Sequence, residues 1–331
     1  MTGNIIGLLA DGITPGAVSG DGIRINSSES NTIGGTTIAA RNIIAKTDGS
    51  GINLTGKYAR YNTIAGNYIG TNLTGLLAAG NIYGVSIASG ATNNTIGGAV
   101  LGSRNVISGN IASAVILTGA TTTGNVLLGN YIGLGSDGST SLGNEGFSVF
   151  VNGAPNNTIG GLAPGEGNVI SATTNLLVST GSGIQLYPGA NNTRILGNRI
   201  GTDATGNLAR PNRYGIVIPA GVSATEIRGN QISSNTVGGV DTQSPNSVIA
   251  GNLLGTNANG TSALGVGQYG IDVNATNVRI GGIVAADRNI ISGHNEVGIG
   301  IQYAATGVQV QGNTLARTRP ALRPSQTAQE L

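Results

Sequence analysis

Acid is scarce in this sequence, with 14 Asp and Glu in 331 residues, so acids that recur at matched positions carry the first chemical hint. Gly239-Val240-Asp241 and Gly270-Ile271-Asp272 repeat one local pattern at a step of 31 residues. Two carboxylates about 5 Å apart, as neighbouring strands would hold them, repel, and one gains affinity for a proton. Such pairs do acid–base work on glycosidic bonds or, with further oxygens, hold a cation. The next equivalent position adds Gln243, Asn274 and Gln302, with Tyr269, Tyr303, Arg213 and Arg279 in nearby segments. Polar groups flanked by Tyr rings can grip a sugar. Asp241, Asp272, Gln243, Asn274, Tyr269 and Tyr303 are therefore the candidate binding residues, and no residue is given a catalytic or metal-binding role. The plain alternative is a solvated strand face whose acids discourage aggregation.

Other chemistry finds little support. The chain has no Cys and one His, His294, which reads as a surface or turn residue because a lone His cannot build a multi-His metal site. Asp203, in Thr202-Asp203-Ala204-Thr205-Gly206, fits a turn better than a metal ligand. The net charge is +2 and the basic residues are scattered, apart from Arg317, Arg319 and Arg323 near the C-terminus, so nucleic acid is not an expected partner. No apolar run reaches the ~20 residues of a membrane span, and no cofactor is implied.

The elements that must position the candidates follow from periodicity. Gly numbers 58 and aromatics are 3% of the chain, yet 39% is hydrophobic, which favours many thin β layers over one thick core. Asn-Thr-Ile recurs at 31–33, 62–64, 94–96 and 157–159, with Asn125-Val126-Leu127 in the same register, giving steps of 31 or 32 residues. Short alternating segments such as Ile52-Asn53-Leu54, Val85-Ser86-Ile87 and Ile216-Val217-Ile218 are strands with one buried face. Two coil types alternate. One runs Ile-Gly-Gly and then Arg-Asn-Ile/Val-Ile; the other runs Gly-Asn-Tyr-Ile-Gly and then a turn whose Gly (Gly12, Gly75, Gly138, Gly206, Gly260) is expected at positive φ. A repeat that cannot bury its apolar face alone must stack on its neighbours. The predicted fold is all-β: a right-handed, single-stranded parallel β-helix, a solenoid of about ten coils over residues 1–314, followed by a non-repeat polar tail over 315–331. Asn31, Asn62, Asn94, Asn125, Asn157 and Asn192 are expected to stack in one ladder, with Thr32, Thr63, Thr95, Thr158, Thr193 and Thr225 in the adjoining column.

The Asn-Thr-Ile-Gly-Gly, Arg-Asn-Val-Ile-Ser-Gly-Asn and Gly-Asn-Tyr-Ile-Gly-Thr phrases resemble the parallel β-helix repeats of bacterial secreted and surface proteins in the pectate-lyase-like superfamily. The resemblance covers about residues 3 to 314 and implies an extracellular or cell-surface location. It implies no single activity, since such rods carry lyases, hydrolases, epimerases, tailspikes and non-catalytic shafts. No catalytic motif of the family matches residue by residue. The expected function is a non-catalytic structural or adhesive segment of a larger protein, the alternative a carbohydrate-active or glycan-binding β-helix; enzymatic activity is the less favoured reading. Expected partners are a glycan or cell-surface component and further repeats of a longer parent chain, because Gly3-Asn4-Ile5-Ile6-Gly7 already reads as the middle of a repeat.

Overall fold

Ile, Val and Leu at every second position of segments bounded by Gly and Asn make strands of two to six residues, and the coil period decides which of them meet. The structure, a computed structural model, describes residues 1–16, 18–175, 181–265 and 267–316. Each coil contributes three strands, and each strand pairs in parallel with its counterparts one coil before and one coil after. Three sheets result. The first, of 11 strands, starts at Ile5–Ile6; the second, of 10, at Ile23–Asn26; the third, of 10, at Thr32–Gly34. The strand Thr314–Ala316 still belongs to the first sheet, pairing Leu315 with Ile291, so the solenoid includes Leu315 and Ala316. The rest of the expected C-terminal tail, 317–331, lies outside the described residues.

Each coil points one apolar side chain inward from its first-sheet strand, one from its third and two from most strands of the second, and these stack in columns. Ile44, Ile69, Ile107 and Ile132 line the first sheet, Ile52, Val85, Val115 and Val149 the second, and Ile33, Ile64, Ile96 and Leu127 the third, all essentially inaccessible to solvent. Burying each is worth about 1.5–3 kcal/mol relative to exposure, and Ile at such a position also satisfies strand propensity. The second coil type carries its expected excursion. Gly12, Gly75, Gly138, Gly206 and Gly260 all have φ between 67° and 75°, where a Cβ would be strained. These excursions stack across every second coil: the Leu73 amide donates to the Gly12 carbonyl, Ser136 to Gly75, and Ala204 to Gly138.

The corners are closed by Asn amides. Asn31, Asn62, Asn94, Asn125 and Asn157 form a ladder, each Nδ2 donating to the Oδ1 of the next at 2.9–3.1 Å. Asn192 does not join it. Thr193 takes that place, and Asn192, at φ 55°, stands instead over Asn156, at φ 57°, with its Nδ2 on the Asn156 Oδ1. The cause is the inward residue. Ile195 must lie over Ile159, and Thr193-Arg194-Ile195 places one more residue between that Asn and its Ile than Asn157-Thr158-Ile159 does. Thr193 and Thr225 accordingly leave the Thr column, which continues as Arg194 and Glu226.

A second, longer ladder runs through Asn4, Asn42, Asn67, Asn105, Asn130, Asn168, Asn198, Asn230, Asn252, Asn289 and Asn313, with Nδ2 to Oδ1 distances of 2.8–3.1 Å at every step. It unites the two coil types, because the Asn of Arg-Asn and that of Gly-Asn occupy the same corner.

Candidate functional site

Strand alternation sends every second residue of the second sheet outward, and parallel pairing lines these residues up along the rod. Asp241 and Asp272 are directly paired neighbours there, from strands Gly238–Thr242 and Tyr269–Val273. Burial first, and the Asp272 carboxylate second, hold the Asp241 carboxyl above the usual carboxylate range, while a hydrogen bond from the Tyr269 hydroxyl works in the opposite direction. Asp272 takes a hydrogen bond from Gln302 Nε2 at 2.5 Å. Tyr269 lies across Gly238, the paired residue of the preceding coil, where a side chain would strike its ring. Burial, and then the nearby Asp241, push its hydroxyl far up, so Tyr269 stays a neutral donor at all ordinary pH.

The other candidates divide. Gln243 and Asn274 follow Thr242 and Val273 on the same two strands, and Asn274 Oδ1 is enclosed without a hydrogen-bond partner among the described residues. Tyr303 is 99% exposed, so it is no platform for this face. Arg279 is on the third sheet, where it pairs with Asp287 at 2.8 Å. Arg213 is close, its guanidinium 5.1 Å from the centre of the Tyr214 ring. His294 is also placed otherwise than expected: both ring nitrogens are enclosed and neither has a hydrogen-bond partner among the described residues. Asp203 is the turn residue it was read as, accepting from the Asn207 and Leu208 amides and the Thr205 hydroxyl. Among the described residues no three of His, Asp and Glu come together as a metal site would require.

The sequence reading missed an aromatic cluster on the same face. Phe147, Phe150 and Tyr187 pack with ring centres 4.9 Å apart for Phe147–Phe150 and Phe150–Tyr187, the latter pair edge to face. Phe147 and Phe150 are the only two Phe in the chain. A shallow cleft runs from this cluster to Asp241, lined also by Gln185, Arg213, Tyr214 and Val217. From the Phe150 strand to the Asp272 strand is four coil steps, about 19 Å along the rod. A signal for Tyr214 was present, since Tyr83-Gly84-Val85, Tyr214-Gly215-Ile216 and Tyr269-Gly270-Ile271 share one phrase. For the Phe cluster only the outward strand positions pointed the way.

The raised Asp241 titration has a consequence for stability. An acid whose folded-state value lies above the unfolded one stabilises the fold when protonated, and that contribution is lost as pH rises from the unfolded value through the folded one. Asp241→Asn is therefore expected to raise the melting temperature at pH 7 and to leave it unchanged at pH 3. A variant less stable than wild type at pH 7 would show that the carboxylate is held by groups that favour its charge.

No family model and no curated protein matches the chain. Solved structures match it in fold. The periplasmic alginate epimerase AlgG aligns over 84% of this chain and 60% of its own, with 12% identity and a TM-score of 0.52. The Dettilon tailspike protein aligns over 86% and 60%, with 16% identity and a TM-score of 0.45. The Azotobacter vinelandii mannuronan C-5 epimerase AlgE6 A-module aligns over 85% and 66%, with 16% identity and a TM-score of 0.40. The chain thus spans about three fifths of the epimerase with which it superposes.

Proposed function

We propose that the chain is the rigid shaft of a bacterial surface or secreted protein and that the outer face of its second sheet holds a glycan without cleaving it. The observation that carries this reading is the concentration of Phe147, Phe150, Tyr187, Tyr214 and Tyr269 on neighbouring coils of one face, beside Asp241 and Asp272, in a chain with only 3% aromatics. Aromatic faces bury the C–H surface of a sugar, and the carboxylates and amides take its hydroxyls. The ladders and columns fix these groups with little ordering left to do on binding, which favours affinity by preorganisation. The alginate epimerase shares this fold, consistent with a glycan-related role.

The test is retention in native gels cast with soluble polysaccharides. Wild-type protein is expected to be slowed by at least one of them, and Tyr187→Ala with Phe150→Ala to lose most of that retardation while keeping its melting temperature within a few degrees. Equal mobility of wild type and variant in every gel would exclude this face.

The raised Asp241 favours a second reading. A carboxyl that keeps its proton beside a carboxylate is how a glycosidase prepares its general acid. Release of new reducing ends or unsaturated products by wild-type protein, abolished in both Asp241→Asn and Asp272→Asn, would establish that reading over the non-catalytic one.

A further inference from the structure

The outer face of the first sheet repeats one device and then departs from it. Arg41 lies over the Tyr68 ring of the next coil at 4.0 Å, and Arg104 lies over Tyr131 at 4.0 Å. Their Nε atoms donate to the Gly66 and Gly129 carbonyls, so each Arg is a lid over its aromatic neighbour. One repeat later Gly167 stands in the place of the lid and Arg199 in the place of the Tyr, as the Asn168 and Asn198 register shows. The backbone has closed in there, since a Cβ on Gly167 would run into the Gly197 carbonyl oxygen. The following coil has no loop at this corner, going directly from Arg228 to Gly229 and Asn230. Together these two losses leave an open groove, lined on its floor by Tyr131, Arg199, Gln231 and Leu253 and on one wall by the loop around Leu162 and Pro164.

The groove is furnished for an anion with hydroxyls. Arg199 is exposed, and among the described residues no acid or carbonyl pairs with its guanidinium. Arg104, three coil steps before Arg199, reaches the groove over Tyr131, and among the described residues its Nη atoms make no hydrogen bond. Gln231, 95% buried, is the paired neighbour of Arg199. Its Nε2 donates to the Gly206 and Thr256 carbonyls at 2.7 and 2.9 Å, which fixes the amide orientation and leaves Oε1 enclosed and, among the described residues, without a partner. An enclosed acceptor without a donor costs about 1–3 kcal/mol, so it is a demand for a ligand hydroxyl or N–H. The acid of this wall, Glu166, turns into its own loop and accepts the Ala163 amide at 3.0 Å, and it does not line the groove.

We propose that this groove binds a sugar acid, its carboxylate held by Arg199 and Arg104 and a neighbouring hydroxyl donating to Gln231 Oε1. The site lies on the first sheet, away from the aromatic face of the second, and stands whether or not that face binds a glycan. Two guanidinium groups suit a planar carboxylate, and the unpartnered acceptor distinguishes a hydroxylated acid from a bare inorganic anion.

Isothermal titration of the full chain with glucuronate, glucose and sodium sulfate tests the proposal. Saturable binding of glucuronate at one site is expected, with glucose and sulfate weaker by about tenfold or more. Arg199→Tyr, which restores the residue type of Tyr68 and Tyr131, and Arg199→Leu, which matches Leu253, are each expected to weaken glucuronate by about tenfold or more with the melting temperature preserved. Asn26→Ala, at an exposed strand end far along the rod, is expected to bind glucuronate as wild type does. Absence of saturable glucuronate binding, equal binding by both Arg199 variants, or sulfate as strong as glucuronate would overturn it. Loss of glucuronate binding on Asp241→Asn alone would move the ligand to the second sheet and also overturn it.

Discussion

Replacing Asn105 by Leu is expected to lower the free energy of unfolding by about 3 kcal/mol, although the two side chains are similar in size. Asn105 is fully buried in the interior of the longest ladder. Its Oδ1 accepts from both the amide and the Nδ2 of Asn67, and its Nδ2 donates to the Ile64 carbonyl and to Asn130 Oδ1. Leu at this corner leaves the Asn67 amide without an acceptor inside the rod and removes three further hydrogen bonds. Water cannot replace them there, so the cost of enclosed, unpaired groups applies in full. Asn26, on the exposed end of its strand, is the control, and Asn26→Ala should change stability by less than about 0.5 kcal/mol. Urea unfolding followed by circular dichroism measures both. A loss below about 1 kcal/mol for Asn105→Leu would mean that the ladder amides accompany the coil corners without holding them.

His294→Asn is expected to stabilise the protein, and to do so most below pH 6. Asn81, Asn110, Asn144, Asn212 and Asn235 form a third set of corner amides, in which Asn81 donates to the Ile44 carbonyl, Asn144 to Ile107, Asn212 to Ile170 and Asn235 to Ile200. His294 follows Ile291-Ser292-Gly293 as Asn110 follows Ile107-Ser108-Gly109, and it takes the corresponding corner in its own coil. Burial lowers its titration from 6.5 to about 4. The Leu254 carbonyl favours the proton slightly, yet among the described residues neither ring nitrogen has a hydrogen-bond partner. Above pH 6.5 the ring is neutral in both states and contributes no pH dependence. Between 6.5 and 4 the unfolded chain binds the proton and the fold resists it, so stability falls as pH falls, by up to about 3 kcal/mol for a shift of this size. Glu296 borders the same hollow in both proteins. The readout is therefore the difference between variant and wild type. An Asn at 294 can donate to the Leu254 carbonyl and carries no titration, so the gap between the two melting temperatures should widen from pH 7 to pH 4.5. A constant gap would show that the imidazole reaches water when protonated.

The excursions and the core follow from residue type alone. The 31- or 32-residue step, the Ile columns, the positive-φ Gly and the three strands per coil are local or strictly periodic properties, and a period-2 strand has only one way to put Ile inside. The pairing of Asp241 with Asp272 was legible for the same reason, since equal positions in successive coils must become neighbours. What sequence could not decide depends on neighbours of unequal length. Asn192 matches Asn157 in the written phrase, but burial of Ile195 outweighs that match and moves the column by one residue. The ladder from Asn4 to Asn313 crosses two coil types whose phrases look different because Arg or Gly precedes the Asn. Enclosure of His294, the meeting of Phe147, Phe150 and Tyr187, and the groove beneath Gly167 each require knowing how far the adjacent loop reaches. Enclosure is set by atoms from other coils, so the same residue type is a lid at Arg104 and an open guanidinium at Arg199, and only the folded chain distinguishes them.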